Sequence, residues 1–432
     1  MRVIIITRLF SGLKGSFERS EWKPYGVPAI YKMIEEFNRR KLSLNVLFLC
    51  KTEVEELNIK RIMKYSFIEL PFVKFTILPY YSLRFNSCKL KQIYNDIIQY
   101  ILVLKLFRIR QYDLAYFDRS NIVLAAIFSF LGVKTVLRFL GIAGFQRFTD
   151  KITSIIWSPL VYLSLKAPFS LVISTEDGSP KSFFDNCLGK KTPCKILLNG
   201  VENNKSLLKD LRYSIRKKYK FTENYPILLF VGRLTEDKGA KEFFDTLIRL
   251  KDQTAEFYVI CICGGSDYSI FSKKMSEAGM IHKVVFERFV EHQNISLYYD
   301  QADIYISLNK LGNLSNTVLE AMQAGKCVIA LGKDREKCTD ESTEKLVPND
   351  VVVRIDRKNI VNDLTEKLAD LINNPDKISV YSERMKGFAK DFLWSWDERV
   401  NYEMELLEMV AKGNTIEMSM FQNVHNERKG LL

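Results

Sequence analysis

Two cationic side chains follow a short apolar run in the second half of the chain. The run over 227–231 predicts a strand, and Arg233 and Lys238 come directly after it. Open parallel sheets bind ligands at the carboxyl ends of their strands. A guanidinium can bind two oxygens of a phosphate, and an ammonium adds a compact charge. The pair therefore indicates a phosphate site, the alternative being two solvated surface cations.

A second polar segment opens a predicted helix after the predicted strand 304–308. The backbone amides near Asn316 and Thr317 suit a diphosphate, because a helix N-terminus attracts phosphate oxygens. Glu320, one turn into the helix, can accept hydrogen bonds from ribose or sugar hydroxyls. The alternative is an ordinary capped helix with a solvated Glu320.

Short β-branched runs alternate with helical patterns along the chain, which predicts an α/β protein with parallel sheets covered by helices. The predicted strands are 3–7, 44–49, 114–117, 134–139, 171–174, 195–198, 227–231, 257–263, 284–286, 304–308, 327–331 and 351–355. The predicted helices include 27–40, 90–106, 241–250, 295–301, 317–324, one through 364–372, and 396–411.

The length of 432 residues suggests two domains. Turn-forming residues at 199–204 predict a boundary, which gives a first domain over 1–200 and a second over 201–392. A last helix over 393–411 and a mobile tail over 412–432 follow. The first 200 residues hold 30 Lys and Arg against 15 Asp and Glu, whereas the remainder holds 34 against 36. This asymmetry predicts an anionic partner for the first domain, such as phospholipid headgroups or a polyphosphate.

Several classes of protein are excluded by composition. Eight scattered cysteines without a Cys-x-x-Cys pair argue against a disulfide scaffold and structural zinc. The first domain has no recognisable nucleic-acid module. The apolar start resembles a strand rather than a signal peptide, which predicts a cytoplasmic protein. No uncharged run is long enough to span a membrane, and 152–165 is expected either to pack in the core or to lie at a membrane interface.

Four segments together resemble the family 4 glycosyltransferases of GT-B fold, of the glycosyl transferases group 1 type. They read VGRLTEDKG, FYVICICGGSD, VVFERFVEHQNISLYYDQADIYISLN and NTVLEAMQAGKCVIA, and the likeness covers about residues 195 to 410. The resemblance implies two Rossmann-like, doubly wound parallel-sheet domains facing across a cleft. It also implies a nucleotide-sugar donor, held by the second domain.

The resemblance places donor contacts residue by residue. Arg233 and Lys238 match the catalytic cationic pair that binds the donor diphosphate and stabilises it as a leaving group. Glu320 matches the second glutamate of the family's Glu-x7-Glu motif, a ribose clamp. The remaining matches are the loop glycines Gly264 and Gly265, with Phe289 and Val290 near the base.

The sequence also departs from the family pattern. Gly312 stands where the motif has its first glutamate, which contacts the donor sugar. Asn313, Ser315 or Asn316 are expected to substitute for it, and backbone amides are the alternative. The first domain's donor loop corresponds loosely to 11–15, which includes Gly12.

The first domain has no histidine, so an imidazole base near the reacting sugar is not expected. Arg138 occupies the corresponding place and is predicted to line the acceptor side. Arg119 is a second candidate, although a helix-capping role is favoured for 118–120. These features agree with a retaining transfer in which the leaving diphosphate takes the acceptor proton. No metal and no cofactor are expected.

The predicted function is a retaining glycosyltransferase that moves a sugar from a nucleotide-diphosphate donor to a glycan acceptor, lipid-linked, in surface polysaccharide biosynthesis. The basic first domain predicts peripheral attachment to an anionic membrane surface from the cytoplasmic side. The alternative is a non-catalytic GT-B protein that binds nucleotide or glycan for a biosynthetic partner. Epimerase or phosphorylase chemistry on the same fold is a third reading.

Overall fold

The computed structural model divides the chain into two compact units. The first comprises Met1–Thr175, Pro180–Leu197 and Trp396–Leu432, and the second comprises Glu176–Ser179 and Leu198–Ser395. The residues that the structure describes are 1–50, 61–81, 88–106, 111–141, 155, 158–178, 180–189, 191–202, 212–222, 224–264, 268–334, 336, 339–414 and 416.

The first unit contains a largely parallel sheet. Its strands are β1 (Val3–Arg8), β2 (Leu44–Leu49), β3 (Met63–Tyr65), β4 (Val73–Ile77), β5 (Leu114–Asp118), β6 (Thr135–Phe139), β7 (Leu171–Thr175) and β8 (Cys194–Leu197). Within the described ranges the strand order is β3-β4-β2-β1-β5-β6-β7-β8, with β3 antiparallel to β4 and the other neighbours parallel. The strands are nearly continuous apolar runs because both faces of a parallel sheet are covered.

Helices cover this sheet. They are α1 (Ser11–Arg19), α2 (Pro28–Arg39), α3 (Cys88–Leu106), α4 (Ile122–Phe130), α5 (Pro159–Ser164), α6 (Pro180–Cys187) and, far along the chain, the helix Trp396–Lys412. The last of these packs against α2, where the guanidinium of Arg40 donates to Asn401 Oδ1 at 2.9 Å and to Glu408 Oε1 at 3.2 Å.

The second unit contains a second parallel sheet. Its strands are β10 (Ile227–Val231), β11 (Tyr258–Ile262), β12 (Val284–Glu287), β13 (Ile304–Ser307), β14 (Cys327–Leu331) and β15 (Val352–Ile355). Their order is β12-β11-β10-β13-β14-β15. The strand order therefore reverses beside β10, which pairs with β11 on one side and β13 on the other. A separate pair joins β9 (Gly200–Val201) to β16 (Trp394–Ser395).

The helices of the second unit are α7 (Arg212–Lys218), α8 (Ala240–Leu250), α9 (Tyr268–Glu277), α10 (His292–Gln301), α11 (Asn316–Gln323), α12 (Glu341–Leu346), α13 (Ile360–Asn373) and α14 (Pro375–Phe392). The helix Trp396–Lys412 of the first unit is α15. The apolar face of α8 packs on the sheet and on α13, with Phe243, Phe244 and Leu247 fully buried. Cys261 and Cys263 are buried in the same core, as their alternation on a strand predicts.

Several of the described elements differ from the sequence expectation. Residues 11–15, expected as a loop, form the start of α1, where a side chain at Gly12 would overlap the backbone of Tyr25. The antiparallel strand β3 and its partner β4 were not predicted, because their apolar runs are short. Helix α14 was also missed, since its stripe of buried residues is sparse: Ile378, Met385, Ala389 and Phe392. The predicted tail lies outside the described residues from 417 onward.

The described part of the segment 152–165 contains both buried and exposed apolar side chains. In its described part, Leu165 is fully buried and Val161 packs against the core, whereas Leu160 and Leu163 on α5 are exposed. Residues 152–154, 156 and 157 lie outside the described part. Among the described helices, none has the length and hydropathy needed to cross a bilayer.

Candidate active site

The predicted cations emerge where the strand order of the second unit reverses. Because β10 and β13 are parallel neighbours, the loops that follow them leave the sheet at the same edge. The amide of Lys310 donates to the carbonyl of Asp237 at 2.8 Å and joins these loops. Gly239 has a φ of 68°, and a side chain there would overlap Leu308. Only glycine allows this close approach, which holds Lys238 beside the loop that leads to α11.

Lys238 is half-buried next to charges of both signs. Burial lowers the pKa of its ammonium; the carboxylates of Asp237 and Asp177 oppose this, and the Arg233 guanidinium adds to it. The Lys238 Nζ lies 3.9 Å from Asp237 Oδ2. A bound anion near Lys238 would oppose this lowering and favour the charged form of the ammonium.

Arg233 is exposed at the start of the same loop. Leu234, next to it, is buried in the core cluster and anchors the loop, so Arg233 projects from the edge of the sheet. The positive charge of Arg233 contributes to the lowered pKa of Lys238. The two predicted cations are therefore close enough to influence each other electrostatically.

The loop between β13 and α11 is shaped by a buried asparagine. Asn313 is fully buried, accepts a hydrogen bond from Ser307 Oγ at 2.8 Å, and donates through its side chain to the Asn309 carbonyl and to Asp340. Its backbone amide donates to Asp340 Oδ1 at 3.0 Å. These bonds occupy the side-chain amide group of Asn313. The residue therefore supports the loop, whereas the sequence interpretation had it contact the donor sugar.

The buried carboxylate of Asp340 fixes this loop from the next segment of the unit. Burial raises its pKa, and hydrogen bonds from Thr343 and Asn313 and the Arg357 guanidinium at 3.2 Å oppose the shift. Arg357 also donates to the Lys310 carbonyl at 3.0 Å. The loop backbone is therefore held from both sides, and it presents a fixed surface ahead of α11.

The structure gives a reason for the glycine at position 312. A Cβ on Gly312 would overlap the carbonyl oxygen of Asp177, which also accepts a hydrogen bond from Leu314 N at 3.4 Å. A glutamate, as in the family motif, does not fit without moving this segment. Asp177 thus occupies the space beside the loop and, with its carboxylate, influences Lys238.

Asp177 belongs to a short segment, Glu176–Ser179, that is part of the second unit. Glu176 is fully buried and accepts hydrogen bonds from Gly178 N at 2.9 Å and from Ser342 Oγ at 2.8 Å. Burial raises the pKa of Glu176 to about 7, because the hydrogen bonds only partly offset the desolvation of the carboxylate. These contacts fix the position of Asp177.

The beginning of α11 lies next in the chain. The amides of Val318 and Leu319 donate to the Ser315 carbonyl, so those of Asn316 and Thr317 precede the hydrogen bonds of the helix. The side chains of Ser315 and Thr317 lie 3.1 Å apart. Asn199 donates to Asn316 Oδ1 at 2.7 Å and orients it.

Glu320 follows one turn into α11. Burial raises the pKa of its carboxyl to about 7; the Tyr299 hydroxyl opposes the shift and the nearby carboxylate of Glu202 adds to it. A glutamate with this pKa is partly protonated at neutral pH. It can therefore accept or donate a hydrogen bond to a hydroxyl of a ligand.

Other predicted donor residues follow β11 and β12, whose carboxyl ends lie at the same edge. Gly264 has open space where its side chain would be, and Gly265 lies outside the described residues. After β12, Val290 is half-buried and Phe289 is 73% exposed. An aromatic ring so exposed at this edge is suited to stacking on a planar base.

The acceptor prediction for Arg138 is wrong. Arg138 lies on β6 and is fully buried, donating to Thr175 Oγ1 at 3.2 Å and lying 3.9 Å from Glu403 on α15. Glu403 also binds Arg399 at 2.6 Å and accepts from Tyr116 at 2.6 Å. Although burial opposes it, the two guanidiniums hold the pKa of Glu403 below its usual range. Arg138 therefore stabilises the core under α15.

The segment around Arg119 forms a capped turn. Asp118 accepts hydrogen bonds from Thr7 Oγ1 at 2.6 Å and from Ser120 N at 3.1 Å, which confirms the capping interpretation for this aspartate. The side chain of Arg119 lies outside the described part of the structure. Gly12 lies inside α1 rather than in a loop.

Residues 212–387 match the family model described as glycosyl transferases group 1. This segment belongs to the group 1 glycosyltransferase family. It contains β10 to β15 and therefore the whole edge that carries Arg233, Lys238 and α11. The match agrees with the family 4 resemblance.

Two similar proteins of known sequence share about a quarter of their aligned residues with this chain. An uncharacterized glycosyltransferase of Methanocaldococcus jannaschii is 25% identical over 219 residues, covering 50% of this chain and 53% of the relative. A 2-deoxystreptamine glucosyltransferase of Streptomyces kanamyceticus is 26% identical over 26% of this chain and 28% of the relative. The alignments thus span about half or less of the relatives' length.

Solved structures match nearly the whole chain. Sucrose-phosphate synthase from Thermosynechococcus elongatus has a TM-score of 0.69 at 14% identity, over 96% of this chain and 100% of that one. Anabaena HepE, solved in complex with UDP and glucose, has a TM-score of 0.65 at 16% identity, over 94% and 99%. The expected fold, α/β with Rossmann-like parallel-sheet domains of GT-B type, is confirmed.

The sequence reasoning missed Asp177, Glu176 and Asn199. The signals were present: Glu-Asp-Gly-Ser-Pro follows the buried strand β7, and Asn199 precedes a glycine after β8. Polar residues at the carboxyl end of a parallel strand are candidates for a site wherever they occur. Nothing in the sequence indicated that this segment joins the second unit.

Proposed function

We propose that this chain is a retaining glycosyltransferase that moves a sugar from a nucleotide-diphosphate donor to a glycan acceptor, which is lipid-linked, in surface polysaccharide biosynthesis. One observation carries the proposal. Lys238 and Arg233 lie together, beside the loop that opens α11, at the point where the strand order of the second unit reverses. The segment that holds them belongs to the group 1 glycosyltransferases.

The donor assignment has two supports. The edge of the second sheet offers cations for a diphosphate, helix amides for further oxygens and the exposed ring of Phe289 for a base. HepE, with a similar fold, was solved with UDP and with UDP-glucose. We assign donor binding to 201–392, with Ser315, Asn316 and Thr317 at the phosphates and Glu320 at a hydroxyl.

In the proposed reaction, the bond between the anomeric carbon and the diphosphate oxygen breaks, and the acceptor oxygen bonds that carbon on the same face. The acceptor proton passes to the departing diphosphate. Lys238, Arg233 and the first amides of α11 stabilise the charge that develops on this diphosphate. Such preorganised donors typically contribute about 3 to 4 kcal/mol each to transition-state stabilisation. Neither a metal nor a protein base enters this scheme.

The test is release of nucleoside diphosphate from a panel of nucleotide sugars by the purified protein, in the presence of chelator. Lys238→Ala is compared with Lys241→Ala, a solvated lysine three residues away on α8. We expect release to fall about 100- to 1,000-fold in the first variant only. Equal activity of the two variants, or no release from any donor by the natural protein together with no nucleotide binding, would contradict the proposal.

A non-catalytic nucleotide-binding protein is the second candidate. Its support is position 312, where the carbonyl of Asp177 fills the space expected for a donor-contacting glutamate. This candidate predicts calorimetric binding of nucleoside diphosphate that depends on Lys238, without turnover of any donor and acceptor pair. Turnover by the natural protein excludes it.

We further propose that the first domain, 1–200, faces an anionic membrane. Its excess of 15 positive charges motivates this placement, because each basic residue near an anionic surface adds roughly 1 kcal/mol to attachment. A lipid-linked acceptor would then be met at the surface where it resides.

A further inference from the structure

Helix α3 of the first unit buries two amide side chains on one face and exposes a row of apolar side chains on the opposite face. On its inner face, Asn95 is buried. Its Oδ1 accepts a hydrogen bond from Tyr81 N at 2.7 Å, and its Nδ2 donates to the Tyr81 carbonyl at 3.0 Å. Gln99 is fully buried and donates to the carbonyls of Cys50 at 2.9 Å and Pro79 at 3.1 Å. These bonds fix the rotation of α3 about its axis.

The outer face of α3 carries an apolar stripe, which consists of Leu90, Ile93, Tyr94, Ile97, Ile101 and Leu104. Each of these side chains is between 39% and 56% exposed. At 3.6 residues per turn, the six positions fall within about 100° of the helix circumference, opposite Asn95 and Gln99. Single exposed apolar residues are ordinary on a protein surface, whereas a continuous stripe along a whole helix marks an interaction site.

We infer that the stripe of α3 embeds in the interfacial region of an anionic lipid bilayer, with the helix lying in the plane of the membrane. An amphipathic helix with one apolar face and basic residues beside it is the pattern of an interfacial helix. The helix does not meet the requirements for a bilayer-spanning segment. This inference deepens the proposed membrane attachment by assigning it to particular side chains.

Charge favours an anionic bilayer over a second protein surface. Lys91 and Lys105 lie on one flank of the stripe, and Asp96 lies on the other flank. The domain around the helix carries 30 Lys and Arg against 15 Asp and Glu in its 200 residues. Two copies of so basic a domain would repel each other, whereas anionic headgroups are attracted to it.

The test is flotation of the full chain with vesicles of phosphatidylcholine alone or of equimolar phosphatidylcholine and phosphatidylglycerol. The variant Ile93→Gln, Ile97→Gln, Ile101→Gln keeps good helix formers and removes the centre of the stripe. Its matched control is Ile270→Gln, Ile281→Gln, Val380→Gln, three exposed apolar residues of the second unit. Circular dichroism and thermal unfolding verify that both variants fold.

We expect the natural protein and the control to float with the anionic vesicles, and the stripe variant to bind them at least about tenfold more weakly. Lys105→Glu is expected to weaken binding about fivefold or more, and Lys241→Glu on α8 to leave it unchanged. Equal flotation of the stripe variant and its control would overturn the inference. The inference would also be overturned if sedimentation showed that the natural protein and the control are dimers and the stripe variant is a monomer, while the stripe variant still bound the vesicles.

The measurement contains no donor sugar, so its outcome is separate from that of the proposed reaction. If the natural protein did not float with the anionic vesicles but released nucleoside diphosphate normally, the membrane assignment alone would be refuted. Normal flotation with no release would refute the transferase alone.

Discussion

Arg138 and Arg233 both lie near the carboxyl end of a parallel strand, but in different surroundings. Arg138 is inside β6, under α15, where it is fully buried beside Glu403. Arg233 lies two residues beyond β10, exposed at the edge of the sheet and close to Lys238. A side chain on the strand faces the layer of helices that covers the sheet, whereas one beyond the strand faces the ligand edge. The two guanidiniums therefore differ in burial according to their distance from the end of the strand.

The largest effect is expected where the buried arginines lose their counter-charge. Glu403→Gln leaves Arg138 and Arg399 buried without an anion, so it should lower the free energy of unfolding by about 3 to 5 kcal/mol. Denaturant unfolding measures this change. Glu405→Gln, an exposed position on the same helix, serves as the control and should shift stability by less than about 0.5 kcal/mol. A Glu403 variant as stable as its control would show that Arg138 is not held by charge.

The contrasting change is at the exposed arginine. Arg233→Ala should reduce kcat for nucleoside diphosphate release about 100- to 1,000-fold, because it removes a donor to the leaving group. Its unfolding free energy should stay within about 0.5 kcal/mol of the natural protein. Arg249→Ala, an exposed arginine on α8, is the control for loss of a surface charge. If Arg233→Ala destabilised the protein and left kcat for nucleoside diphosphate release unchanged, the two arginines would not differ as described.

The loop that leads to α11 depends on close backbone packing at Gly312. Gly312→Ala places a methyl group against the Asp177 carbonyl and should destabilise the second unit by about 1 to 3 kcal/mol. Weaker donor binding should accompany it, since the segment beside Lys238 must move. Gly387→Ala on α14 meets open space and should stabilise the protein instead, by about 0.5 to 1 kcal/mol. Thermal unfolding that showed Gly312→Ala to be as stable as the natural protein, or more stable, would count against the packing at 312.

The smallest expected effect concerns a buried carboxyl of the same segment. With a native pKa raised to about 7, Glu176 holds its proton between pH 4.5 and 7, where the unfolded chain has lost it. Its contribution to stability is complete below pH 4.5 and is lost as the pH rises through about 7. Glu176→Gln mimics the protonated form and should remove this decline, a gain on the order of 1 to 2 kcal/mol at pH 8.

The control for that measurement is Glu366→Gln, an exposed glutamate on α13. Denaturant unfolding from pH 5 to pH 8 should give parallel curves for this control and the natural protein. A Glu176 variant whose stability fell with pH as steeply as theirs would contradict the raised pKa.

The order of the strands along the chain and the sheet edge that carries Arg233 and Lys238 were predictable because they depend on local pattern. Short, continuous apolar runs and the cations or turn formers after them place Arg233, Lys238 and the start of α11 at one edge, since parallel strands all end on the same side. The roles of Arg138 and Asn313 were not predictable from local pattern. Whether a polar side chain is exposed depends on which distant helix or loop covers it.

The sequence by itself determined the α/β class, the position of the cations after β10 and the excess charge of the first 200 residues. These follow from hydrophobic period, residue type and counting, which need no knowledge of contacts. Only the tertiary structure decided that α15 buries Arg138, that Asp177 fills the space beside Gly312, and that α3 turns its apolar stripe outward. Each of these depends on the packing of residues that are far apart in the chain.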